Sequence, residues 1–327
     1  MLSRTKREMV SRLSETKILF ASDLHSSDTF FLKVLSTAKN FNVDLLLISG
    51  DLTGKAIVPI LKLDSGMYLT KFLGQDYRIS EAELLPLQRD VRKCGYYYRI
   101  MSRQEYEEFK GHPEKIDELF DKVTREAVEN WVRKIQEILP KDMRVVMNPG
   151  NDDNFAIDEI LKKAPRIEYT VGKVYNIDAD HEMVNCDWVN PTPWNSPREC
   201  SDQELEKRLR AEIKKASNMA QLICDFHAPP YNSTIDSAPK LDKNMRPKMF
   251  MGSPVYEHVG SKAVRTVLEE FQPKMGLHGH IHEAPGICKI GRTVCVNPGS
   301  EYLEGTMHGY LLTLTREGID QQPLIGG

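Results

Sequence analysis

The sequence predicts an α/β protein whose strands are covered on both faces. Three observations predict it. Short, continuous apolar runs recur along the chain, each run gives way at once to a polar loop, and the first two are joined by a segment of helical periodicity. In chain order, residues 17–22 (KILFAS) read as a buried strand ending at Asp23, residues 29–40 as a helix, and residues 43–49 (VDLLLIS) as a second buried strand ending at Gly50-Asp51. Strand, helix and strand in that order predict a right-handed crossover between parallel neighbours. Residues 144–147 (RVVM) lead to Pro149-Gly150-Asn151, residues 221–226 (QLICDF) to His227, and residues 274–277 toward His280. Residues 294–296 and 310–314 read as later strands, and 202–219 as a further amphipathic helix. In sheets of this kind functional sites lie beyond the carboxyl ends of the strands, which is where all of these polar motifs fall.

Between Gly54 and Lys141 the pattern changes. Charged segments of helical character dominate, including 81–93 and 113–139, and Gly95-Tyr96-Tyr97-Tyr98 interrupts them. The expectation is a catalytic domain formed by residues 1–54 and 142–327, with a helical cap inserted at 55–141. The tyrosines, with Arg99, read chiefly as the cap's own small core. The tail after Arg316, ending in Gly-Gly, reads as loosely held.

Composition narrows the classes. A net charge of −3 over 327 residues provides no global basic field, which counts against nucleic acid and anionic membranes as partners, though a local basic patch is compatible with it. The start, MLSRTKREMVSRLSETK, is charged and lacks the apolar core of a signal peptide, and no run approaches the roughly 18 apolar residues that span a bilayer. Cys94, Cys186, Cys200, Cys224, Cys288 and Cys295 include no CxxC pair. They read as reduced thiols in a cytoplasmic protein.

The motifs are Asp23-Leu24-His25, Gly50-Asp51, Gly150-Asn151-Asp152, His227 and Gly279-His280-Ile281-His282. They supply three carboxylates, one amide and four imidazoles, the donor types of a hydrolytic two-metal site. Such a site holds two cations roughly 3.5–4 Å apart and lowers the pKa of water held between them, so that hydroxide can attack phosphorus. Four imidazoles suit Mn, Fe or Zn better than Mg.

In this order, D-x-H, G-D, G-N-x, H and G-H-x-H resemble the calcineurin-like metallophosphoesterase superfamily. The resemblance spans residues 17–54 and about 142–300. Phe226-His227-Ala228-Pro229-Pro230 resembles that family's H-x-P-P turn. The stretch from Gly260-Ser261 through Gly276-Leu277-His278-Gly279-His280 to Asn297-Pro298-Gly299-Ser300 resembles a prokaryotic branch related to cyclic-AMP phosphodiesterases. The resemblance implies a two-sheet α/β/β/α sandwich. It also implies two divalent metal ions, one held by Asp23, His25 and His282, the other by Asn151, His227 and His280, with Asp51 bridging them.

Each residue taken singly has a plainer reading. Asp23 and Asp51 can be turn or capping residues, Asn151 a turn terminator and His227 a core histidine. His280 and His282 would be separated by period-2 geometry on a regular strand, so an irregular loop, permitted by Gly279, must bring them together. His278 reads as structural, and His112, His181, His258 and His308 as surface or structural residues. Trp188 and Trp194 flank a loop and can line a pocket or pack inside.

Asp152 departs from the resembled pattern, in which a histidine follows the ligand asparagine and serves the leaving group. It can be a substituted acid, a helper made dispensable by a good leaving group or by another donor such as His181, or an orienting or capping residue. The expected function is hydrolysis of small phosphodiesters, cyclic nucleotides among them, with monoesters next. The alternatives are a DNA or RNA nuclease of the same superfamily and a non-catalytic binding scaffold. Oligomeric state is not encoded in any motif.

Overall fold

Residues 15–326 are described by a computed structural model. The first fourteen residues, which hold most of the charged start read as lacking a signal-peptide core, lie outside the described residues. The chain opens with β1 (Thr16–Ala21), α1 (Asp28–Phe41) and β2 (Leu45–Ser49). Every residue of β2 and all of β1 except Lys17 are buried, as continuous apolar runs require when both sheet faces are covered. Ser27 starts α1 by accepting from the backbone N–H of Phe30, and Asn42 ends it in the left-handed conformation. Between these caps Phe30, Phe31, Val34, Leu35 and Ala38 form one buried stripe.

After β2 the chain makes an excursion through β3 (Ile57–Lys62), β4 (Tyr68–Phe72), β5 (Gln75–Ile79), α2 (Glu81–Lys93), β6 (Tyr97–Ser102), α3 (Arg103–Gly111) and α4 (Pro113–Ile138). It returns as β7 (Arg144–Asn148), followed by α5 (Asp158–Lys163), β8 (Tyr175–Asn176), β9 (Glu182–Cys186), α6 (Asp202–Ile213) and β10 (Leu222–Phe226). Two short hairpins are formed by β11 (Ser237–Pro239), β12 (Met249–Phe250), β13 (Ser253–Pro254) and β14 (Tyr256–His258). Then come α7 (Lys262–Phe271), β15 (Met275–Leu277), β16 (Gly286–Ile290), β17 (Thr293–Asn297), β18 (Met307–Leu314) and β19 (Ile319–Gly326).

The first sheet has the order β19-β18-β1-β2-β7, with β1, β2 and β7 parallel. The second has the order β16-β17-β15-β10-β9-β8, with β9, β10, β15 and β17 parallel. Register puts Phe20 opposite Leu47 and Leu47 opposite Val146, so one face of the first sheet is a continuous apolar surface. It packs on Met183, Ile223, Leu277 and Val296 of the second sheet to form the central core. The other face of the first sheet is covered by α1 and α4, and that of the second by α6 and α7. These are the four layers of an α/β/β/α sandwich, the mixed α/β class expected. Each large side chain buried in these layers contributes about 1.5–3 kcal/mol.

The structure corrects three expectations. The insertion is not purely helical, because β5-β4-β3-β6 form a sheet of their own with its own core, including Val58, Ile60, Tyr68, Phe72, Leu84 and Leu87. Its strands are short and half-exposed, and Pro59 interrupts the apolar run of β3; the turn glycines Gly66 and Gly74, both at positive φ, were the readable signs. The tail is not loose either. Residues 319–326 pair along the whole of β18. Helix α6 stops at Ile213, and the next turn is broken by Ser217 and Asn218, whose backbone amides bond to Glu182.

Helix α4 ties the insertion to the body. Trp131 stacks on Phe31 of α1 with ring centroids 4.1 Å apart and an interplanar angle of 3°, and its Nε1 donates to Asp28 Oδ1 at 2.7 Å. Trp131→Ala should therefore lower unfolding stability by about 3–5 kcal/mol, as for other buried aromatic truncations. Denaturant unfolding checks this, and a loss below about 1 kcal/mol would show that α4 is not integral to the body.

Candidate metal centre

The motif residues meet where β1, β2, β7, β10 and β15 end. Ligand atoms of Asp23, His25, Asp51 and His282 all lie within 4.8 Å of one another, and so do those of Asp51, His227 and His280. Asp51 is common to both groups. Asp51 Oδ2 lies 3.7 Å from His25 Nε2, and Asp51 Oδ1 lies 3.5 Å from His227 Nε2. Asp23 Oδ1 faces His282 Nε2 at 3.4 Å and His227 Nε2 at 3.7 Å. Nε2 atoms of His25 and His282 stand 3.0 Å apart. Asp23, His25, Asp51, Asn151 and His227 are buried, while His280 and His282 are half-buried at the opening.

The backbone is bent to achieve this. Asp23, His25, Asp51 and His280 all have positive φ, at 57°, 43°, 41° and 68°. Non-glycine residues in that region cost of order 1–3 kcal/mol each and cluster at functional sites. The loop after β15 is irregular, and His280 rather than Gly279 carries its positive φ. Gly279 serves close approach instead: a Cβ there would lie 2.1 Å from Ser22 Oγ and 2.3 Å from Asp23 Oδ2. Gly50 does both, with φ of 98° and His227 Nδ1 2.2 Å from where a Cβ would be.

Under the cluster lies a buried polar floor that joins the two sheets. Asp225 Oδ2 on β10 accepts from Ser49 Oγ at 2.6 Å, Asn148 Nδ2 at 3.2 Å and Asn185 Nδ2 at 2.6 Å. Ser49 and Asn148 belong to the first sheet, Asn185 and Asp225 to the second, so this network fastens the sheets just below the site. Asn185 Oδ1 alone is left without a partner in this network, whose other bonds fix how the sheets meet.

Most of the cluster holds its charge in the forms that coordinate a cation; His227 is the exception, since Asp51 and Asp23 outweigh burial and raise its imidazole to about 9, so a cation there would displace a proton. Burial disfavours ionised Asp23, but His227 and His282 outweigh it and hold the carboxyl well below the usual range. Burial acts the same way on Asp51, where His227 and His25 win. Burial, aided by the Lys55 ammonium, holds His25 well below the ordinary imidazole value, and burial beside His227 brings His280 down to about 4. Ionised carboxylates and neutral imidazoles are the ligand forms.

The donor set fits two cations by a further sign. Asn151 uses both amide hydrogens, Nδ2 donating to Asp152 Oδ1 at 2.9 Å and Ser196 Oγ at 2.8 Å. Its Oδ1 is buried without a partner, and so are both ring nitrogens of His227 and Nδ1 of His25. A buried acceptor left unpaired is costly unless something else engages it. A hard cation at Asn151 Oδ1 and His227 would do so.

Several other residues fall elsewhere or take plain roles. His181 is buried at the amino end of β9 with Nδ1 bonded to Asp178, so it cannot serve the leaving group. His278 Nδ1 donates to the carbonyls of Phe226 and Ala228, the structural role expected. His112 pairs with Glu114, His258 with Asp236, and His308 with the Pro298 carbonyl. Trp188 packs on the core beside α6, whereas Trp194, 68% exposed, lines the cleft over the cluster. Tyr96, Tyr97 and Tyr98 pack within or against the insertion. All six cysteines are free.

Asp152 is not in either ligand group. Its carboxylate accepts from Asn151 Nδ2 and pairs with Lys55 Nζ at 3.0 Å, while its backbone N–H donates to Asp51 Oδ1 at 2.9 Å. Burial and Asp51 raise its pKa to about 6 against the pull of Lys55. Lys55, Asp153 and Tyr302 went unremarked in the sequence. Lys55 stands in a Gly-Asp-Leu-Thr-Gly-Lys run, and its place four residues beyond Asp51 was the available sign.

The fold and site together define a two-sheet α/β protein with a buried aspartate–histidine cluster suited to two metal ions. No family model matches the chain. An uncharacterized protein of Methanocaldococcus jannaschii is 35% identical over 170 residues, covering 51% of this chain and 68% of that protein. The chain belongs to the family of that archaeal protein. Among solved structures, one crystal structure aligns over 94% of this chain and 98% of its own at 17% identity and a TM-score of 0.57, a likeness of fold alone. A dimetal phosphatase from Danio rerio covers 94% of this chain and 98% of its own at 9% identity and a TM-score of 0.46. No helix among the described residues is long and apolar enough to cross a membrane.

Gly279→Ala should lower stability by about 1–3 kcal/mol, the cost of overpacking a tight site. Gly286→Ala is the control, since the nearest atom to its Cβ would be an ordinary 3.5 Å away. Thermal unfolding of both variants measures the contrast, and equal melting temperatures would contradict the close approach at Gly279.

Proposed function

We propose that this chain is a dinuclear-metal phosphoesterase of the calcineurin-like type, acting on small phosphodiesters, with monoesters next. The observation that carries the reading is Asp51, the one residue shared by two convergent ligand groups. Asp23, His25 and His282 would hold one cation, and Asn151, His227 and His280 the other. Bound there, such a pair lowers the pKa of water and offsets negative charge on a phosphoryl group; Mn, Fe and Zn all suit the donors.

The remaining work belongs to the chain. Lys55, Trp194 and His282 line the opening through which an ester reaches the cluster. Hydrolysis breaks the ester P–O bond and places the water oxygen on phosphorus. Of the two protons of water, one ends on the leaving-group oxygen and the other on phosphate or in solvent. The cleft above the cluster is about 520 Å³ and is lined by Asp51, Lys55, Asn151, Trp194 and His282 among others. That volume suits a small ligand. The near-neutral net charge supports a small ester over a nucleic acid, whose affinity rests on neutralising many phosphates.

The test is a panel with manganese-loaded protein: a cyclic nucleotide, a bis-aryl phosphodiester, an aryl monoester and single-stranded DNA. Turnover should appear on a small diester and fall to background in Asp51→Asn. Equal rates for wild type and Asp51→Asn on every substrate would sink the hydrolase reading, and a preference for DNA would favour the nuclease.

A further inference from the structure

Lys55 is a cation built into the cleft. Its Nζ lies 3.0 Å from Asp152 Oδ2, and its side chain keeps 45% of its exposure against 22% for Asp152. The ammonium has three donors; the ion pair engages one side of it and leaves the rest to the cleft. On another flank it sits 5.9 Å from the ring centroid of Tyr302, whose ring packs 4.5 Å from that of His25.

The loop that carries Lys55 is fixed residue by residue. Buried Asp153 accepts from Leu52 N at 2.9 Å, Thr53 N at 2.8 Å and Thr53 Oγ1 at 2.6 Å, and from Gly150 N at 2.8 Å. One carboxylate thus clamps the loop after β2 to the loop after β7. Gly54 N donates to the hydroxyl of Tyr97, a buried residue of β6 in the insertion. A Cβ at Gly54 would come within 2.4 Å of the Gly95 carbonyl oxygen, so the insertion presses directly on the residue before Lys55. A surface lysine on a free loop has none of these restraints.

We propose that Lys55, seated by Asp152, binds the phosphoryl group and stabilises negative charge that grows on the leaving-group oxygen; the inference rests on the phosphoesterase reading. It assigns the cleft an anion subsite beside the ligand cluster. It also gives Asp152 a role that none of the acid readings supplies. Both oxygens of that carboxylate already face donors, Asn151 Nδ2 and Lys55 Nζ, so it is placed to hold a cation rather than to give a proton. Asp152 is then a positioning residue acting through Lys55, and Tyr97 gives the insertion a part in the site. A lysine meets phosphate as a point charge, and such contacts are stronger than neutral hydrogen bonds.

The experiment compares Lys55→Met, Lys55→Arg, Asp152→Asn and the double variant Lys55→Met/Asp152→Asn with wild type and Asp51→Asn. Three quantities are read: manganese bound per chain, the dissociation constant for inorganic phosphate by calorimetry, and kcat and KM on a bis-aryl phosphodiester. Lys55→Met should keep wild-type manganese, bind phosphate about tenfold more weakly, and lose about 10²–10³-fold in kcat/KM, the range for removing one charge-stabilising donor. Lys55→Arg should recover part of both losses. Asp152→Asn should lose less, and the double variant no more than Lys55→Met, because Asp152 acts through the lysine. Unchanged phosphate affinity and unchanged kcat/KM in Lys55→Met, in a protein where Asp51→Asn is dead, would overturn the Lys55 proposal and leave the phosphoesterase reading standing. If Asp51→Asn matches wild type, the phosphoesterase reading fails, and the phosphate affinity of Lys55→Met still decides whether the anion subsite exists.

Discussion

Two carboxylates, Asp23 and Asp51, lie 0% and 2% exposed at the ends of adjacent parallel strands, and the rest of the structure is organised by the need to keep them charged there. A buried carboxylate is expensive unless donors and opposite charges surround it. Asp23 accepts from the backbone N–H of His280 with both oxygens, at 3.1 and 3.0 Å, and Asp51 accepts from Asp152 N. These bonds pull the loops after β15 and β7 inward. The positive φ of Asp23, His25, Asp51 and His280, and the absence of a Cβ at Gly50 and Gly279, are what those loops need in order to come so close. Positive φ at non-glycine residues also occurs elsewhere in the chain, at Asn42 and Gln272 for example, but four such residues gather where the imidazoles converge, a pattern expected of a site whose geometry matters more than its own stability.

Two buried networks keep that strained ring in place. The Ser49–Asn148–Asn185–Asp225 floor joins the sheets below it, and Asp153 joins the loops after β2 and β7 beside it. The insertion supplies a third restraint from above. Its α2 carries Arg92, paired with Asp28 at 3.1 Å, and the same Asp28 accepts from Trp131, so the head of α1, just after the Asp23-Leu24-His25 turn, is fixed by two elements of the insertion. Ser27 Oγ donates to the Lys93 carbonyl at 2.5 Å in the same region. A segment that reads as an appendage in sequence is, in packing terms, a brace for the first motif.

Much of this was legible in the chain. The buried parallel strands announced themselves as unbroken apolar runs, since covering both faces leaves no polar alternation to confuse the pattern. The seven residues that the resemblance implies as ligands stood out because their motifs follow such runs, and the structure brings all of them to one place. The insertion's sheet was missed because its strands are short and half-solvated and lie among charged helical segments, and β19 was missed because an edge strand with Asp320 and two glutamines looks like tail. Apart from the nearness of Lys55 to Asp51 in the chain, the roles of Lys55 and Asp153 were not legible, for a different reason. Their roles depend on contacts across about 100 residues of sequence, between the loops after β2 and β7, and no local pattern encodes such a contact. Asp152 stood out in sequence as an exception, but only its distances to Lys55 and Asn151 say what the exception is for.

The central claim is that Asp51 lies between two cations. Crystals grown with manganese, with data collected at the manganese absorption edge, test it most directly. The account predicts two anomalous peaks per chain about 3.5–4 Å apart, one on the His25–His282 side of Asp51 and one on the Asn151–His227–His280 side. A single peak, or none, in a folded protein with these side chains in place would contradict it.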